Sequence, residues 1–258
     1  MPRVLYITTD GMRPDALEAA HTPNFRALME RGSYTLEGRS VMPSITLPCH
    51  MSIFHSVPPE RHNVLTNDFT PMARPVPGLF EVLRRAEKRT AMFHSWEPLR
   101  DVSRPGSLAL SKFIAYDANP EVSDHLVLQT ALPYLRSGEF DFTFLYFGTI
   151  DEVGHLAGWM SRRYLEQVEQ IDGLLGQVIE AVPADTTVLV MSDHGGHYRF
   201  HGTDLPEDMT VPFFALGPGI RAGRKIEQPV SLLEVAPTVA RLLGVAPADG
   251  WEGRALDL

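Results

Sequence analysis

The sequence predicts an α/β fold around a mostly parallel central sheet, and three observations carry that expectation. Short runs of β-branched and aromatic residues alternate along the chain with segments of helical periodicity. The length of 258 residues is long for one domain yet within the range of a single layered unit with a large core. Polar clusters fall at or just behind the ends of predicted strands, where open α/β sheets place their ligands.

Taken in order, Val4 to Thr9 is an apolar run of strand length. Thr22-Pro23 begins a helix through Phe25, Leu28 and Met29, stopped by Gly32. Pro48, in the segment from Met42 to His50, marks the first turn of another helix. A helix from Leu79 to about Lys88 precedes a strand at Thr90 to Phe93, and Pro120 opens a helix through Leu126, Leu128 and Leu132. Phe140 to Ile150 is rich in β-branched and aromatic residues and reads as the central strand. Between Arg162 and Ala181, Tyr164, Val168, Ile171, Leu174, Leu175 and Val178 recur at helical spacing. Thr186 to Met191 and Val211 to Leu216 are further strands, and Leu232 to Leu243 is a last helix ended by Gly244. Residues 58–78 and 97–118 are turn-rich and are expected to form small lids over a site. With no repeat or linker visible, residues 1–258 are expected to form one domain.

Composition narrows the function. Lys and Arg number 23 against 32 Asp and Glu, a net charge of −9, which argues against a nucleic-acid binder dependent on concentrated positive charge. A single cysteine, Cys49, excludes an intramolecular disulfide framework and a cysteine-built zinc site. No signal-like segment or membrane-spanning run is visible, so a cytoplasmic location without membrane attachment is the expectation. Ten histidines and many aspartates remain as ligands for a hard or borderline metal.

Four places carry those ligands: Asp10-Gly11 after the first strand, Asp151 with His155 after the Phe140 strand, Asp193-His194 after the Thr186 strand, and His201 a few residues on. Singly, each is as well explained by a cap or a chance spacing. Together the six groups make two sets of three, the composition of catalytic zinc-type sites. Two such ions about 4 Å apart would clamp the attacking and leaving oxygens of an in-line phosphoryl displacement. Ser44 and Thr46 supply hydroxyls where a helix begins, a place that favours negative charge, although either could simply cap that helix.

In order along the chain, TTDGMRPDAL, PSITLPCHMSIFHSVPPERHNV, TIDEVGHLAG, MSDHGGH and HGT resemble the alkaline phosphatase superfamily. Within it the sequence is most similar to the nucleotide pyrophosphatase/phosphodiesterase branch, and LLEVAPTVARLLGV with GRAL resembles the segment ending many members. The resemblance implies a three-layer sandwich with helices on both faces of the sheet, a catalytic domain with small lids, and two divalent metal ions, zinc or alternatively manganese. It implies that Thr46 is the nucleophile and that Asp10, Thr46, Asp193 and His194 hold one ion. Asp151, His155 and His201 would hold the other. Asn67 matches an asparagine that helps hold a phosphate oxygen, and Trp96 and His197 are further candidates for contact with substrate. The implied function is cleavage of phosphate diester or pyrophosphate bonds through a phosphothreonine intermediate. Cys49 departs from the branch, which commonly has asparagine before the histidine.

Alternatives within the superfamily are a phosphomonoesterase or a phosphonate hydrolase. A monoester dianion usually calls for an extra cation near the nucleophile, and Arg61, Arg74 and Arg100 are available, though no pattern ties one to the site. A sulfatase lacks its maturation motif here, and a phosphomutase would need a sizeable cap. A non-catalytic relic of a metal site is the reading from a different class, and the oligomeric state is left open. His21, His94 and His125 are expected at surfaces or caps, His50 and His62 in structural support. Glu166, Glu169 and Asp172 are expected on a solvated helix face.

Overall fold

A computed structural model describes residues 2–115 and 122–258. Among the described residues, eight strands form one sheet in the order β4-β3-β5-β1-β6-β7-β2-β8. They are β1 (Arg3–Thr9), β2 (Ser33–Arg39), β3 (Thr90–His94), β4 (Leu110–Phe113), β5 (Phe142–Phe147), β6 (Thr186–Met191), β7 (Thr210–Leu216) and β8 (Arg224–Lys225). Every pairing is parallel except those of β7, which runs antiparallel to both β6 and β2.

Helices cover both faces. On one side lie α3 (Thr46–His55), α5 (Leu79–Arg85) and α10 (Val235–Leu242). Phe54, Phe80 and Val239 from them bury against Tyr6, Phe144, Leu189 and Phe213 of the sheet. On the other lie α1 (Ala16–Ala19), α2 (Pro23–Arg31), α6 (Ser123–Ser137), α7 (Thr149–Ala157) and α8 (Arg162–Ala181). Here Phe25, Leu128, Val153 and Leu175 pack onto Leu5, Ile7, Leu145 and Phe214. The alternation within β1 (Leu5 and Ile7 to one layer, Tyr6 to the other) is the period-two pattern of a strand buried on both faces. This is the alkaline-phosphatase-like three-layer sandwich. Two short helices, α4 (Pro59–His62) and α9 (Pro206–Met209), lie in the connections.

The differences from expectation have local causes. The central strand ends at Phe147 rather than Ile150, because Gly148 and Thr149 turn into α7. The Asp124 carboxylate accepts hydrogen bonds from the backbone N–H of Gly148 and of Thr149, both at 2.9 Å, and from the Thr149 hydroxyl. Those are free donors of a helix N-terminus, and their acceptor lies 24 and 25 residues upstream. Helix α6 is described from Ser123, and its expected start at Pro120 lies outside the described residues. Of the 97–118 segment, Glu97–Val102 forms a 3-10 helix and Leu110–Phe113 is the edge strand β4, paired to β3, while 116–118 lie outside the described residues. The polar strand β2, SYTLEGR, has too little apolar alternation to be seen in sequence.

The acidic stripe on α8 divides. Asp172 is 2% exposed and does not face solvent. Its carboxylate accepts from the backbone N–H of Phe25 at 2.8 Å and of Asn24 at 3.1 Å, capping the N-terminus of α2. His94 is likewise buried at the end of β3, where its Nδ1 donates to the Trp96 carbonyl at 2.8 Å. Among the described residues, no helix is long and apolar enough to cross a membrane.

Candidate metal centre

Strands β5, β1 and β6 are neighbours, and their carboxyl ends deliver the predicted ligands to one place. Asp10 follows β1, Asp193 and His194 follow β6, and Asp151 sits in the first turn of α7 after β5. His155 lies one helical turn on from Asp151, on the same face. His201 comes from the loop after Gly195-Gly196.

Two groups result. Asp151, His155 and His201 form one, and Asp10, Asp151 and His194 the other, each with candidate ligand atoms within 4.8 Å of one another. Asp151 Oδ2 lies 3.4 Å from His155 Nε2, and its Oδ1 lies 3.7 Å from His201 Nε2. His194 Nε2 lies 3.2 Å from Asp10 Oδ1 and 3.5 Å from Asp193 Oδ2. The His194 and His201 rings stack at 3.9 Å, joining the groups. Asp151 therefore borders both groups, where the sequence comparison placed it with one.

The ring nitrogens are oriented for ligation. Nδ1 of His155, His194 and His201 donates to the carbonyls of Arg199 (2.9 Å), Gly195 (2.8 Å) and Ser44 (2.8 Å). A carbonyl can only accept, so the proton belongs on Nδ1 and the Nε2 lone pair is left for a cation. The carboxylates point to the same conclusion. Asp10 Oδ1, Asp151 Oδ1 and Asp193 Oδ2 are buried with no hydrogen-bond partner, an expensive state for anionic oxygens unless a cation joins them. Oxygen and imidazole donors of this kind fit divalent metals such as zinc or manganese.

Electrostatics follows from the crowding. Burial, then the Asp193 and Asp151 carboxylates, pushes Asp10 well above the usual carboxylate range, and burial also raises Asp193. Asp151 is the exception: burial opposes its ionisation, but the bond from His155 and the fields of the surrounding histidines outweigh it and lower its pKa. In return the bond to Asp151 raises His155 to about 9. Burial holds His194 below the usual range and His201 at about 4.

Thr46 is the first residue of α3, and its Oγ1 lies 3.2 Å from His194 Nε2. The Leu47 N–H, a donor at the same helix head, donates to Asn67 Oδ1 at 3.0 Å, so the 58–78 segment reaches the residue next to Thr46 through its exposed stretch 65–71. Ser44 is not at this helix head; its hydroxyl donates to the Thr203 carbonyl at 2.8 Å. Trp96 packs, partly buried, against the apolar core on the α3 side of the sheet. His197 is tied by Nδ1 to Asp208 Oδ1 at 2.7 Å.

Three supporting residues escaped the sequence reasoning, and a fourth, His50, was expected in structural support. The Tyr146 hydroxyl donates to Asp10 Oδ2 at 2.5 Å. Trp159 donates from Nε1 to the Gly11 carbonyl at 2.9 Å and sets its ring edge-on to His155. Buried Asp208 accepts from the Thr203 N–H and hydroxyl as well as from His197, and its carbonyl takes the Gly195 N–H. His50, on α3, donates from Nδ1 to the Thr46 carbonyl at 2.8 Å and lies 3.6 Å from Asp193 Oδ2. Only His50, by its place four residues after Thr46, gave a local signal.

A sequence model of the metalloenzyme superfamily matches residues 107–247, and one of the type I phosphodiesterase/nucleotide pyrophosphatase family matches residues 4–96. The chain is similar to a 2,3-bisphosphoglycerate-independent phosphoglycerate mutase of Methanosarcina acetivorans, 30% identical over 57% of this chain and 29% of that one. It spans less than a third of the length of the first curated relatives it matches. Murine ectonucleotide pyrophosphatase/phosphodiesterase 5, solved as an inactive threonine-to-alanine form in complex with AMP, aligns with a TM-score of 0.80 at 17% identity, covering 97% of this chain and 98% of that one. The phosphonate monoester hydrolase of Agrobacterium radiobacter aligns with a TM-score of 0.78 at 16% identity, covering 99% and 76%. At such identities these structures speak for the fold.

Proposed function

The chain belongs to the metalloenzyme superfamily, within the alkaline phosphatase superfamily its motifs resemble, and from that premise we propose that it is a two-metal hydrolase cleaving phosphate diester or pyrophosphate bonds with Thr46 as nucleophile. The observation that carries this reading is the position of Thr46 Oγ1, at the head of α3 and 3.2 Å from the His194 Nε2 that also lies 3.2 Å from Asp10 Oδ1 and 3.5 Å from Asp193 Oδ2, buried oxygens without hydrogen-bond partners.

Asp10, Thr46, Asp193 and His194 would hold one divalent ion and Asp151, His155 and His201 the other, zinc or alternatively manganese. Bound there, such ions supply acidification of a hydroxyl and neutralisation of charge on phosphate oxygens. The protein supplies position. Thr46 is held on a rigid helix by the His50 bond to its carbonyl, so its Oγ1 attacks phosphorus in line as the ester oxygen opposite departs with the bonding pair. The product is a phosphothreonine, which water hydrolyses to regenerate the hydroxyl. The Leu47 N–H and the Asn67 side chain lie at the helix head, where equatorial phosphate oxygens are received.

Preference for diesters is supported by the engagement of two of the cations that could have met a monoester dianion. Arg61 donates to the Arg74 carbonyl, and Arg100 pairs with Glu97 and Asp101. The similarity to a phosphoglycerate mutase favours a second reading, phosphoryl transfer between hydroxyls of one substrate, and the phosphonate hydrolase likeness keeps phosphonate esters in view.

The test is a panel of phosphodiesters, pyrophosphates, monoesters, phosphonates and sulfate esters with metal-loaded protein, with Thr46→Ala alongside. Diester turnover that falls at least about a thousandfold in Thr46→Ala is expected. Near-normal turnover by Thr46→Ala sinks the mechanism, and a clear monoester preference overturns the substrate class.

A further inference from the structure

Trp159 is buried in the turn that follows α7. Its indole lies against all three segments that deliver candidate ligands. At the first, Nε1 donates at 2.9 Å to the carbonyl of Gly11, the residue after Asp10. At the second, the ring covers Gly154, which sits in α7 between Asp151 and His155. A Cβ on Gly154 would stand 2.6 Å from Trp159 Cε2. At the third, a Cβ on Gly196, between His194 and His201, would run into the same ring. The main chain adds a tie, since the Trp159 N–H donates to the Tyr198 carbonyl at 2.7 Å. Glycine inside a helix is less favourable than alanine, and at 154 the indole takes the space that a side chain would need.

The ring contacts differ between the two ligand groups. Trp159 meets His155 with ring centroids 5.1 Å apart and planes at 88°, and His201 at 6.0 Å and 61°, both edge to face. The His155 and His201 rings are themselves 5.0 Å apart. The indole thus closes a three-ring cluster with both imidazoles of the Asp151, His155 and His201 group. Among the described residues its one other ring contact is Tyr164, whose hydroxyl shares the Gly11 carbonyl. His194, the imidazole of the other group, is not in that cluster. Close-packed interiors transmit a change of volume to their neighbours, so the width of the indole sets the gap between α7 and the loop that carries His201.

We propose that Trp159 is a positioning residue for one ion of the pair: it fixes the separation of His155 and His201, and so sets how tightly the Asp151, His155 and His201 group holds its metal. This rests on the reading of the centre as a two-metal site. The indole acts through the two histidines, and the group containing Asp10, Asp193 and His194 depends on it far less.

The experiment is competition for zinc between a chromophoric chelator and the metal-free full chain, which reads the two affinities separately. Wild type is expected to take up two ions. Trp159→Ala is expected to lose at least about tenfold in affinity for one of them, the ion also lost in His201→Ala, and to hold the other within about threefold. Trp159→Phe keeps a ring in the gap, and the Gly11 carbonyl keeps its bond from Tyr164, so both affinities are expected within about threefold of wild type. Gly196→Ala presses on the indole from the loop side and is expected to weaken the same ion, which decides the matter if Trp159→Ala does not fold. Parallel weakening of both ions in Trp159→Ala would make the indole a general core residue and overturn the proposal. So would unchanged affinities in Trp159→Ala or Gly196→Ala, or a Trp159→Phe protein as impaired as Trp159→Ala. Wild-type protein that takes up no second ion removes the two-metal reading itself, and the proposal with it.

Discussion

Gly11 lies directly against Asp151: a Cβ on Gly11 would stand 2.9 Å from both the Cα and the Cβ of Asp151. Gly11 also has φ +72°, and its carbonyl accepts from both Trp159 Nε1 and the Tyr164 hydroxyl. The turn that exposes Asp10 is thus pressed onto the helix that carries Asp151, with no room for a side chain. Gly11→Ala should push Asp151 away from both ligand groups while leaving the sheet intact. Metal affinity is expected to fall at least about tenfold, with a stability loss of roughly 2 kcal/mol from the strained φ and the clash. Elemental analysis after dialysis, with thermal unfolding, checks this; full metal content at wild-type affinity counts against the packing argument.

The crowded carboxylates make stability depend on metal. Asp193 Oδ2 is buried, without a hydrogen bond, and lies 3.5 Å from His194 Nε2. Asp193→Asn places a neutral amide there and removes one of the like charges that raise Asp10. In chelator-treated protein this substitution is expected to raise Tm by a few degrees, a gain of about 1 kcal/mol. The same substitution should abolish most of the stabilisation that added zinc gives the wild type. Calorimetry of both proteins with and without metal decides it, and a destabilised metal-free Asp193→Asn protein contradicts it.

Acid should unfold the protein partly through two histidines outside the metal centre. Burial lowers His55 and His62, each to about 4. His62 Nδ1 accepts from the Val64 N–H at 3.1 Å, so protonation there would break that bond. For a depressed histidine, the unfolded chain takes up protons near pH 6.5 that the native state refuses until about 4. Stability is therefore whole above pH 6.5 and drains away as pH falls towards 4, by roughly 3 kcal/mol for each group once below 4. Urea midpoints between pH 7.5 and 4.5 should fall, and ring resonances of His62 should stay in the neutral form below pH 5.5. A His62 that titrates normally near 6.5 refutes the assignment.

Asp172 offers a control far from the chemistry. It caps α2 through the Asn24 and Phe25 N–H groups, and it takes a further bond from Asn24 Nδ2 at 2.8 Å. Asp172→Ala should cost about 2–3 kcal/mol by leaving buried donors unpaired. Metal binding is expected to be unchanged. Chemical denaturation and metal titration together check both halves, and an unchanged denaturation midpoint would show that water replaces the carboxylate.

The division between what the chain announces and what only folding reveals is visible in these residues. Asp10, Asp193 and His194 were legible because β1 and β6 are apolar runs ending in polar groups, and a parallel sheet brings such ends to one edge. Asp151 and His155 are legible as a pair one helical turn apart, although the pattern carries the strand before them three residues past its end at Phe147. Chain-local regularities of period two or 3.6, and motif order, determine that much: the layered fold, the donor types and the hydroxyl at Thr46.

Tertiary structure alone decided the rest. It set Asp151 between both ligand groups, turned three Nδ1–H groups onto backbone carbonyls, and brought Asn67 to the Leu47 N–H. It also made Asp172 a cap for a helix 147 residues away, where its sequence neighbours suggest a wet surface. The reason is physical. Period and propensity act over a few residues, whereas a buried polar group takes whichever partner the packed layers bring within 3 Å, whatever the distance along the chain.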